Sequence, residues 1–474
     1  MKRIKKQMTG LRSDNIIKIA DADFAAPFPS RLEFNPPVHG TWNIVHIGML
    51  VPQSHQIYVC SENCMRGVVM TAAEMGLQDR FSCVTLEEKD LYSGNLEEIT
   101  LEGVTDVLHK LARRRAPEDM PKAVLIFPVC LHHFMGCDLK YVYGELEERF
   151  PSIRFVRCWM DPIMRASGPS PDQKLRRAMM DLTEPGEGGA PLSFLGDLLP
   201  LDQESELARL IRAAESKKEG QVFDGGPKQG VRPARAYQIQ DCHTLEEYMA
   251  LGSAERVACR TSTALPALRA AARRLRKEPL YLPFLFGYEG IRSQIRELSE
   301  ALHVSPAEAG IDPEAEEAAC EEALRRARQT LGSVPIAIDN VAVEHPLGLC
   351  RLLAEHGFNV REVYLDAFNP EEREDYEWLT VHTPELLICG TIQVEGRVLH
   401  GEGRGSGRGQ YLAIGPKAAW YNETPHFVNM VYDGGLWGYS GIRTLCAWIE
   451  DAFLTEKDTR ELVPRKGLGC ACIL

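Results

Sequence analysis

The chain has 474 residues, 44% of them hydrophobic, and a formal net charge of −13 from 54 basic and 67 acidic residues. A chain of this length buries full cores without disulfide or metal staples, so its 14 cysteines are available for chemistry and indicate a reducing compartment, with the cytoplasm as the expected location. Scattered basic residues exclude a nucleic-acid-binding stripe, and no apolar run reaches the roughly 20 residues that a membrane helix requires.

The first part of the chain alternates between strand-like and helix-like segments. We expect an N-terminal arm over 1–35, followed by an α/β domain over 36–185. The strands of this domain are predicted at 42–51, 55–60, 79–83, 123–130 and 153–159. Its helices are predicted at 65–76, 97–114 and 138–150.

A linker rich in glycine and proline at 183–191 precedes a second series of strands and helices. This series predicts a second α/β domain over 186–332, and a third domain with a C-terminal helix and tail over 333–474. The predicted strands lie at 192–196, 236–240, 256–260, 280–286, 334–343, 359–368, 386–392 and 411–415. The predicted helices lie at 204–215, 244–251, 265–276, 292–302, 313–331, 348–357 and 441–454. The sequence therefore predicts three Rossmann-like α/β domains with parallel sheets.

Three cysteines, Cys60, Cys83 and Cys130, end strand-like apolar runs of the first domain. In a parallel sheet those ends share one edge, where bound groups usually lie. Thiolates from three strands are suited to an iron–sulfur cluster, with four irons or more. Cys64 comes near the start of a predicted helix, where a thiolate is favoured, and it is either a fourth ligand or a packing residue. A buried free cysteine is otherwise a common small hydrophobic residue, which is the alternative at each position.

Other patterns in the chain carry weaker signals. Cys130, His132, His133 and Cys137 suggest zinc, but no second pair with suitable spacing accompanies them. The segment 158–168, which contains Asp161, Met164 and Arg165, follows the last strand of the first domain, where pocket walls are common. The glycine-rich 401–409 satisfies neither the GxGxxG nor the P-loop pattern, so we expect no ATP site. Cys470 and Cys472 do not complete a prenylation box and are expected to form a tail without function.

Three segments together resemble the nitrogenase component 1 superfamily. HQIYVC at 55–60 keeps the spacing from a histidine to the first cluster cysteine, and SCVTLEEKDLYSG at 82–94 follows the second cysteine segment. CLHHFMGCD at 130–138 is similar to the third, with Cys137 in place of an aspartate. The resemblance covers roughly residues 36–455.

The resemblance implies a nitrogenase-like reductase subunit with a cluster held by Cys60, Cys83 and Cys130. The fourth ligand is Cys64, another side chain or a group from a second subunit. It implies a separate iron–sulfur ATPase, similar to the nitrogenase Fe protein, as the electron donor. It also implies a homodimer, or a heterodimer with a related component 1 subunit, with clusters at the interface. The substrate is not identified by the sequence, and neither nucleic acid nor a membrane is expected as a partner.

Cys259 matches the family cysteine that holds one end of the nitrogenase cofactor. The histidine that holds the other side is replaced by Trp437, which cannot ligate a metal because its ring nitrogen only donates. Cys259 is then a ligand of another metal centre, a contact to an organic substrate, or an ordinary residue at a strand end. Two alternative functions are a non-reducing scaffold on which a metal cofactor is assembled, and a plain α/β binding protein of the periplasmic type.

Overall fold

The computed structural model describes residues 15–30, 32–33, 42–162, 168–221, 237–392 and 411–458. The chain divides into two compact units, and each is a mixture of helices and mainly parallel strands, as the sequence predicts. The cysteine unit contains residues 42–200 and 223–282, and the C-terminal unit contains residues 1–41, 201–222 and 283–474. Among the described residues, no helix is long and apolar enough to cross a membrane.

The cysteine unit contains a four-stranded parallel sheet in the order β3-β2-β4-β5. Its strands are β2 (Ser54–Cys60), β3 (Phe81–Thr85), β4 (Ala123–Pro128) and β5 (Arg154–Arg157). The helices that accompany them are α1 (Ile44–Met49), α2 (Glu62–Glu74), α3 (Glu88–Ser93), α4 (Leu96–Arg114), α5 (Cys130–Phe134), α6 (Leu139–Arg149) and α7 (Pro171–Asp181).

The two faces of this sheet are packed differently. Strands β2 and β4 are buried along their whole length, as expected for central strands of a parallel sheet. On one face, Ile57 and Ile126 join an aliphatic core with residues of α4 and α6. On the other face, Tyr58 stacks on Phe127 with ring centroids 4.3 Å apart and on Phe81 at 5.0 Å. The aromatic face is also the face that bears Cys60, because residues two apart in a strand point the same way.

A second parallel sheet of the cysteine unit has the order β6-β7-β8. Its strands are β6 (Leu192–Phe194), β7 (Arg256–Cys259) and β8 (Pro279–Tyr281), with helices α9 (Leu245–Ala250) and α10 (Leu265–Leu275) between them. Strand β7 is central and ends at the buried Cys259. This placement agrees with the predicted strand at 256–260.

The C-terminal unit contains a six-stranded sheet in the order β1-β11-β10-β9-β12-β13. The strands are β1 (Ile16–Lys18), β9 (Pro335–Asp339), β10 (Asn359–Tyr364), β11 (Leu387–Cys389), β12 (Leu412–Ile414) and β13 (Phe427–Val428), and only β1 runs antiparallel. The helices are α8 (Glu206–Gln221), α11 (Tyr288–Leu302), α12 (Pro313–Leu331), α13 (Pro346–Glu355), α14 (Arg373–His382), α15 (Pro416–Asn422) and α16 (Gly438–Leu454).

Two predicted strands are wrong. Residues 42–51 contain helix α1 because the Asn43 side chain accepts hydrogen bonds from the amides of Val45 and His46, which starts a helix in an otherwise strand-like sequence. Residues 236–240 lead instead into a short 3₁₀ turn, where the Asp241 carboxylate accepts the Tyr237 amide at 3.2 Å. Local polar side chains decide both segments.

One strand and several helices of the structure were not predicted from the sequence. Strand β1 was assigned to an N-terminal arm, and helices α1, α3, α5, α7, α14 and α15 were not predicted. The domain boundaries at 35, 185 and 332 stay predictions, because the division into two units groups the chain differently.

Candidate metal centre

The predicted cluster cysteines belong to three strands that are neighbours in one sheet. Cys60 is the last residue of the central strand β2, and β3 and β4 lie on either side of it. Cys83 lies on β3, and Cys130 follows the end of β4 as the first residue of α5. Because all three strands are parallel, their carboxyl ends share one edge.

Cys60 and Cys83 point to the same face of the sheet. Tyr58 pairs with Cys83, and Cys60 pairs with Thr85. Cys83 is therefore one strand away from Cys60 and two residues before it, which puts their Cα atoms about 8 Å apart for a strand spacing of about 4.8 Å and a rise of about 3.3 Å per residue. The expectation that Cys83 ends its strand is wrong, because β3 continues to Thr85.

Cys64 differs from the other three in its exposure. It lies in the first turn of α2 and is exposed, whereas Cys60 is buried and Cys83 and Cys130 are half-buried. The Ser61 hydroxyl donates to the Cys64 sulfur at 3.6 Å. The sequence leaves two roles open for Cys64, a ligand and a packing residue. In either role its side chain needs another group to contact on the exposed side of α2.

Burial keeps the thiols of this region protonated. Burial raises the pKa of Cys60 to about 12, and the nearby thiols of Cys83 and Cys64 add to the shift. Burial likewise raises the pKa of Cys83 to about 11. A coordinated metal reverses this preference, because its positive charge deprotonates a thiol outright. Cys60 and Cys83 are thus better suited to binding a positively charged metal centre than to existing as free thiolates.

The donor set fits a cluster better than a single ion. Within the described ranges, no three side chains among histidine, cysteine, aspartate and glutamate converge on one metal-ion position. In an iron–sulfur cluster each cysteine binds its own iron, so its ligands need not converge on one point. Cys60, Cys83 and Cys130 supply sulfur donors, which are the usual ligands of such clusters.

Two members of the zinc alternative have other partners. His132 is buried, with Nε2 3.2 Å from the Thr100 hydroxyl and Nδ1 accepting the Val129 amide at 3.1 Å. Burial raises the pKa of Cys137 to about 12, and the Glu97 carboxylate, which hydrogen-bonds the Cys137 thiol, adds to the shift. The described residues therefore give the zinc alternative no support.

The other residues of the resembling segments have local structural roles. His55 is buried, and its Nε2 lies 2.8 Å from the Ser82 hydroxyl. Burial lowers the pKa of His55 to about 3, with smaller effects from Arg115 and Arg80. Asp138 caps α6 by accepting the Tyr141 amide at 3.1 Å.

A polar group beside Cys130 was not recognised from the sequence. His133 Nε2 lies 2.9 Å from Oδ2 of the fully buried Asp161, and Lys174 Nζ donates to the same oxygen at 2.5 Å. The His133 ring stacks on Trp159 with centroids 3.9 Å apart and planes 10° apart. From the sequence, His133 was considered only as a zinc ligand and Asp161 only as part of a pocket wall. No sequence pattern connects the two residues, because they lie on different elements.

Cys259 is fully buried at the end of β7, and its thiol donates to the Thr261 carbonyl oxygen at 3.4 Å. Beside it, the Arg260 amide and Nε donate to the two carboxylate oxygens of Asp197 at 2.9 and 2.8 Å. A role of Cys259 in holding a cofactor or substrate stays a prediction.

Trp437 is fully buried immediately before α16 in the C-terminal unit. The position that the sequence analysis matches to the family histidine is thus buried in the core, and the match itself stays a prediction. Met164, Arg165, the glycine-rich 401–409, Cys470 and Cys472 lie outside the described residues.

Comparisons with known proteins agree with this fold. Residues 47–453 match the family model described as nitrogenase component 1 type oxidoreductase. A solved structure described as "Nitrogenase Cp1 at pH 6.5" has a TM-score of 0.60 and 15% sequence identity, covering 90% of this chain and 94% of that chain. Another, "Nitrogenase Cp1 at pH 5", has a TM-score of 0.55 and 11% identity, covering 94% and 95% of the two chains. No curated protein sequence matched. At these identities the solved structures show a shared fold.

Proposed function

The chain belongs to the nitrogenase component 1 type oxidoreductases, and from that premise we propose that it is the cluster-bearing subunit of a nitrogenase-like reductase. The observation that carries the proposal is the placement of Cys60 and Cys83 on neighbouring parallel strands, with Cys130 two residues after the end of the third strand, β4. The reductase takes electrons from a donor protein and delivers them to a substrate that is not yet identified.

Cys60, Cys83 and Cys130 hold an iron–sulfur cluster in this proposal, with Cys64 as a further ligand. When bound, such a cluster supplies one-electron transfer at a potential set by burial, charge and hydrogen bonds to sulfur. The protein contributes a rigid edge: β2 is buried along its length, and the stacked Tyr58 and Phe127 exclude water from the face that carries Cys60.

The donor and the partner follow from the family. We propose a separate iron–sulfur ATPase as electron donor, because the sequence contains neither a P-loop nor a GxGxxG motif. We propose a second component 1 type subunit, identical or related, as the stable partner. Exposed Tyr92 and Phe134, on helices that follow β3 and β4, support a protein partner at the cysteine-bearing edge.

Trp437 favours a substrate other than that of nitrogenase. A nitrogenase cofactor needs a histidine where this chain has a buried tryptophan, so a centre held in that manner does not fit. Cys259 then holds a different centre or contacts an organic substrate. The same replacement supports the second candidate, a scaffold that carries a cofactor precursor loosely and passes it on, because it removes a permanent ligand.

Anaerobic purification of the full chain tests the cluster. Wild-type protein is expected to be brown, to contain iron and sulfide, and to give an electron paramagnetic resonance signal when reduced with dithionite. Cys60→Ala and Cys130→Ala are expected to lose most of the iron. Cys350→Ala, which removes a buried thiol of the C-terminal unit, is the matched control and is expected to keep it.

Colourless, iron-free wild-type protein from iron-replete anaerobic cells would contradict the proposal. A reduced cluster that returns its electrons to a substrate in the presence of an iron–sulfur ATPase supports the reductase. Transfer of a cofactor to another protein without turnover supports the scaffold.

A further inference from the structure

The group formed by His133, Asp161, Lys174 and Trp159 lies in the cysteine unit, and neither the family nor the proposed function requires it. Asp161 is fully buried, whereas the side chains of His133 and Lys174 are 30% and 23% exposed. One carboxylate oxygen of Asp161 contacts Nε2 of His133 and Nζ of Lys174, and the other has no hydrogen-bond partner among the described residues. A buried carboxylate that orients a half-exposed histidine is more than a surface salt bridge.

The ring of His133 is fixed in both its plane and its rotation. Stacking on Trp159 sets the plane, and the hydrogen bond to Asp161 sets the rotation. Because the carboxylate is an acceptor, Nε2 carries the hydrogen. Lys174 Nζ binds the same oxygen and supplies a counter-charge for Asp161. The lone pair of Nδ1 is thus left available, and within the described ranges Nδ1 makes no hydrogen bond.

His133 and Cys130 are neighbours on one helix. They are three residues apart in α5 (Cys130–Phe134), a spacing that brings Cβ atoms to about 5–6 Å. His132, the adjacent histidine, has both ring nitrogens engaged with Thr100 and Val129. His133 is therefore the histidine of α5 with a ring nitrogen to spare.

We propose that His133 binds an iron of the cluster through Nδ1, as the fourth protein ligand beside Cys60, Cys83 and Cys130. This inference rests on the proposed function. Metal-bound histidines characteristically donate their other ring N–H to a carboxylate, which fixes the tautomer and increases the basicity of the ligand, and Asp161 fills that role here. Asp161 is a positioning residue, and His133 takes the place that the proposed function gives to the exposed Cys64.

The test is pulsed electron paramagnetic resonance on the reduced, full-length protein containing isotopically labelled histidine. The wild-type cluster is expected to show coupling to a histidine nitrogen. His133→Ala is expected to lose that coupling, and His109→Ala, which removes an exposed histidine of α4, is expected to keep it. His133→Cys is expected to retain the cluster at a lower reduction potential, because thiolate in place of imidazole lowers it.

Asp161→Asn tests the positioning role through iron retention. It is expected to weaken retention by about 10-fold to 100-fold against a chelator, as loss of such a carboxylate does elsewhere. Circular dichroism of the iron-free proteins checks that each variant is folded.

The outcomes separate the two proposals. A wild-type cluster without histidine coupling overturns the ligand role of His133 and leaves the proposed function intact. The same holds for a cluster that is lost in Cys64→Ala but unchanged in His133→Ala. A wild-type protein that never acquires iron overturns both.

Discussion

A buried carboxylate, that of Glu206, fixes the start of the last helix. It accepts the Ser440 amide at 3.1 Å, and Arg209 pairs with it at 2.9 Å. Gly438 has φ +68°, and a Cβ there would collide with the same carboxylate, so the glycine permits the contact. Burial raises the pKa of Glu206 despite these hydrogen bonds. Gly438, which follows Trp437 in the chain, is thus packed against a carboxylate and not against a metal ligand.

Removing that carboxylate is expected to destabilise the C-terminal unit. Glu206→Ala leaves the amide of Ser440 without its buried acceptor, whereas Arg209 keeps Glu316, so the loss costs about 1–3 kcal/mol of the free energy of unfolding. Glu322→Ala, which breaks an exposed pair with Arg325, is the control and is expected to cost about 1 kcal/mol or less. Urea unfolding followed by tryptophan fluorescence measures both. Equal losses in the two variants would contradict the buried role of Glu206.

His345 makes the stability of the same unit depend on pH. Burial lowers its pKa, but a hydrogen bond to Glu371 and the carboxylates of Glu372, Asp433 and Glu344 more than offset this and raise the pKa to about 9. A raised pKa in the folded state stabilises the protein fully below the unfolded value of about 6.5, and the contribution is lost as the pH rises through 9.

The advantage of wild type over His345→Gln in unfolding free energy is therefore expected to fall by on the order of 3 kcal/mol between about pH 6 and about pH 10. Urea unfolding at both pH values gives the difference. Burial raises the pKa of Glu372 to about 8, so some loss of stability with pH is common to both proteins. An advantage that stays constant, or grows with pH, would rule out the charged histidine.

At the scale of elements, local signals determine what could be predicted. Helix α12 was predicted at 313–331 and found there, because Asp312 caps it and Pro313 opens it. The apolar runs that become β2 and β4 were also predicted, since continuous apolar residues are typical of central parallel strands. Helix α7 has an equally clear helix-start signal, Ser170-Pro171 with Gln173, but it was not predicted.

That capping box is expected to contribute measurably, because α7 carries Lys174. The Ser170 hydroxyl accepts the Gln173 amide at 3.3 Å, and the Gln173 side chain accepts the Ser170 amide at 3.0 Å. Ser170→Ala is expected to lower the free energy of unfolding by about 1 kcal/mol, and Ser170→Asp to restore most of it. Thermal unfolding of the iron-free protein compares the three, and an unchanged Ser170→Ala would show that tertiary packing alone holds α7.

At the scale of the molecule, the candidate site was predictable only in part. Cys60, Cys83 and Cys130 were singled out because each ends a strand-like apolar run of the sequence, and the order β3-β2-β4 brings those runs together; their role as ligands stays a prediction. The contact between His133 and Asp161 was not predicted, because it joins α5 to the chain beyond β5 and depends on tertiary packing. Sequence patterns predict which residues lie near the end of a strand, but they do not predict which side chains of different elements are in contact.

The exposed aromatic side chains at the cysteine-bearing edge lead to a prediction about assembly. Tyr92 is 80% and Phe134 69% exposed, and large exposed aromatics are characteristic anchors of protein interfaces. We expect the purified protein to sediment as a dimer, alone or with a related subunit. The double variant Tyr92→Glu, Phe134→Glu is expected to raise the dissociation constant at least about tenfold, since burying two charges in place of aromatic anchors costs more than about 1.4 kcal/mol.

Val381→Glu is the control for this assembly, because Val381 is 72% exposed on α14 of the C-terminal unit and does not belong to the cysteine unit. It is expected to leave the sedimentation coefficient unchanged. If the double variant sediments like wild type across the concentration range, the partner does not bind at this edge. If the double variant is a monomer instead, its iron content is the deciding measurement, because iron retained in the monomer shows that the four ligands come from one subunit.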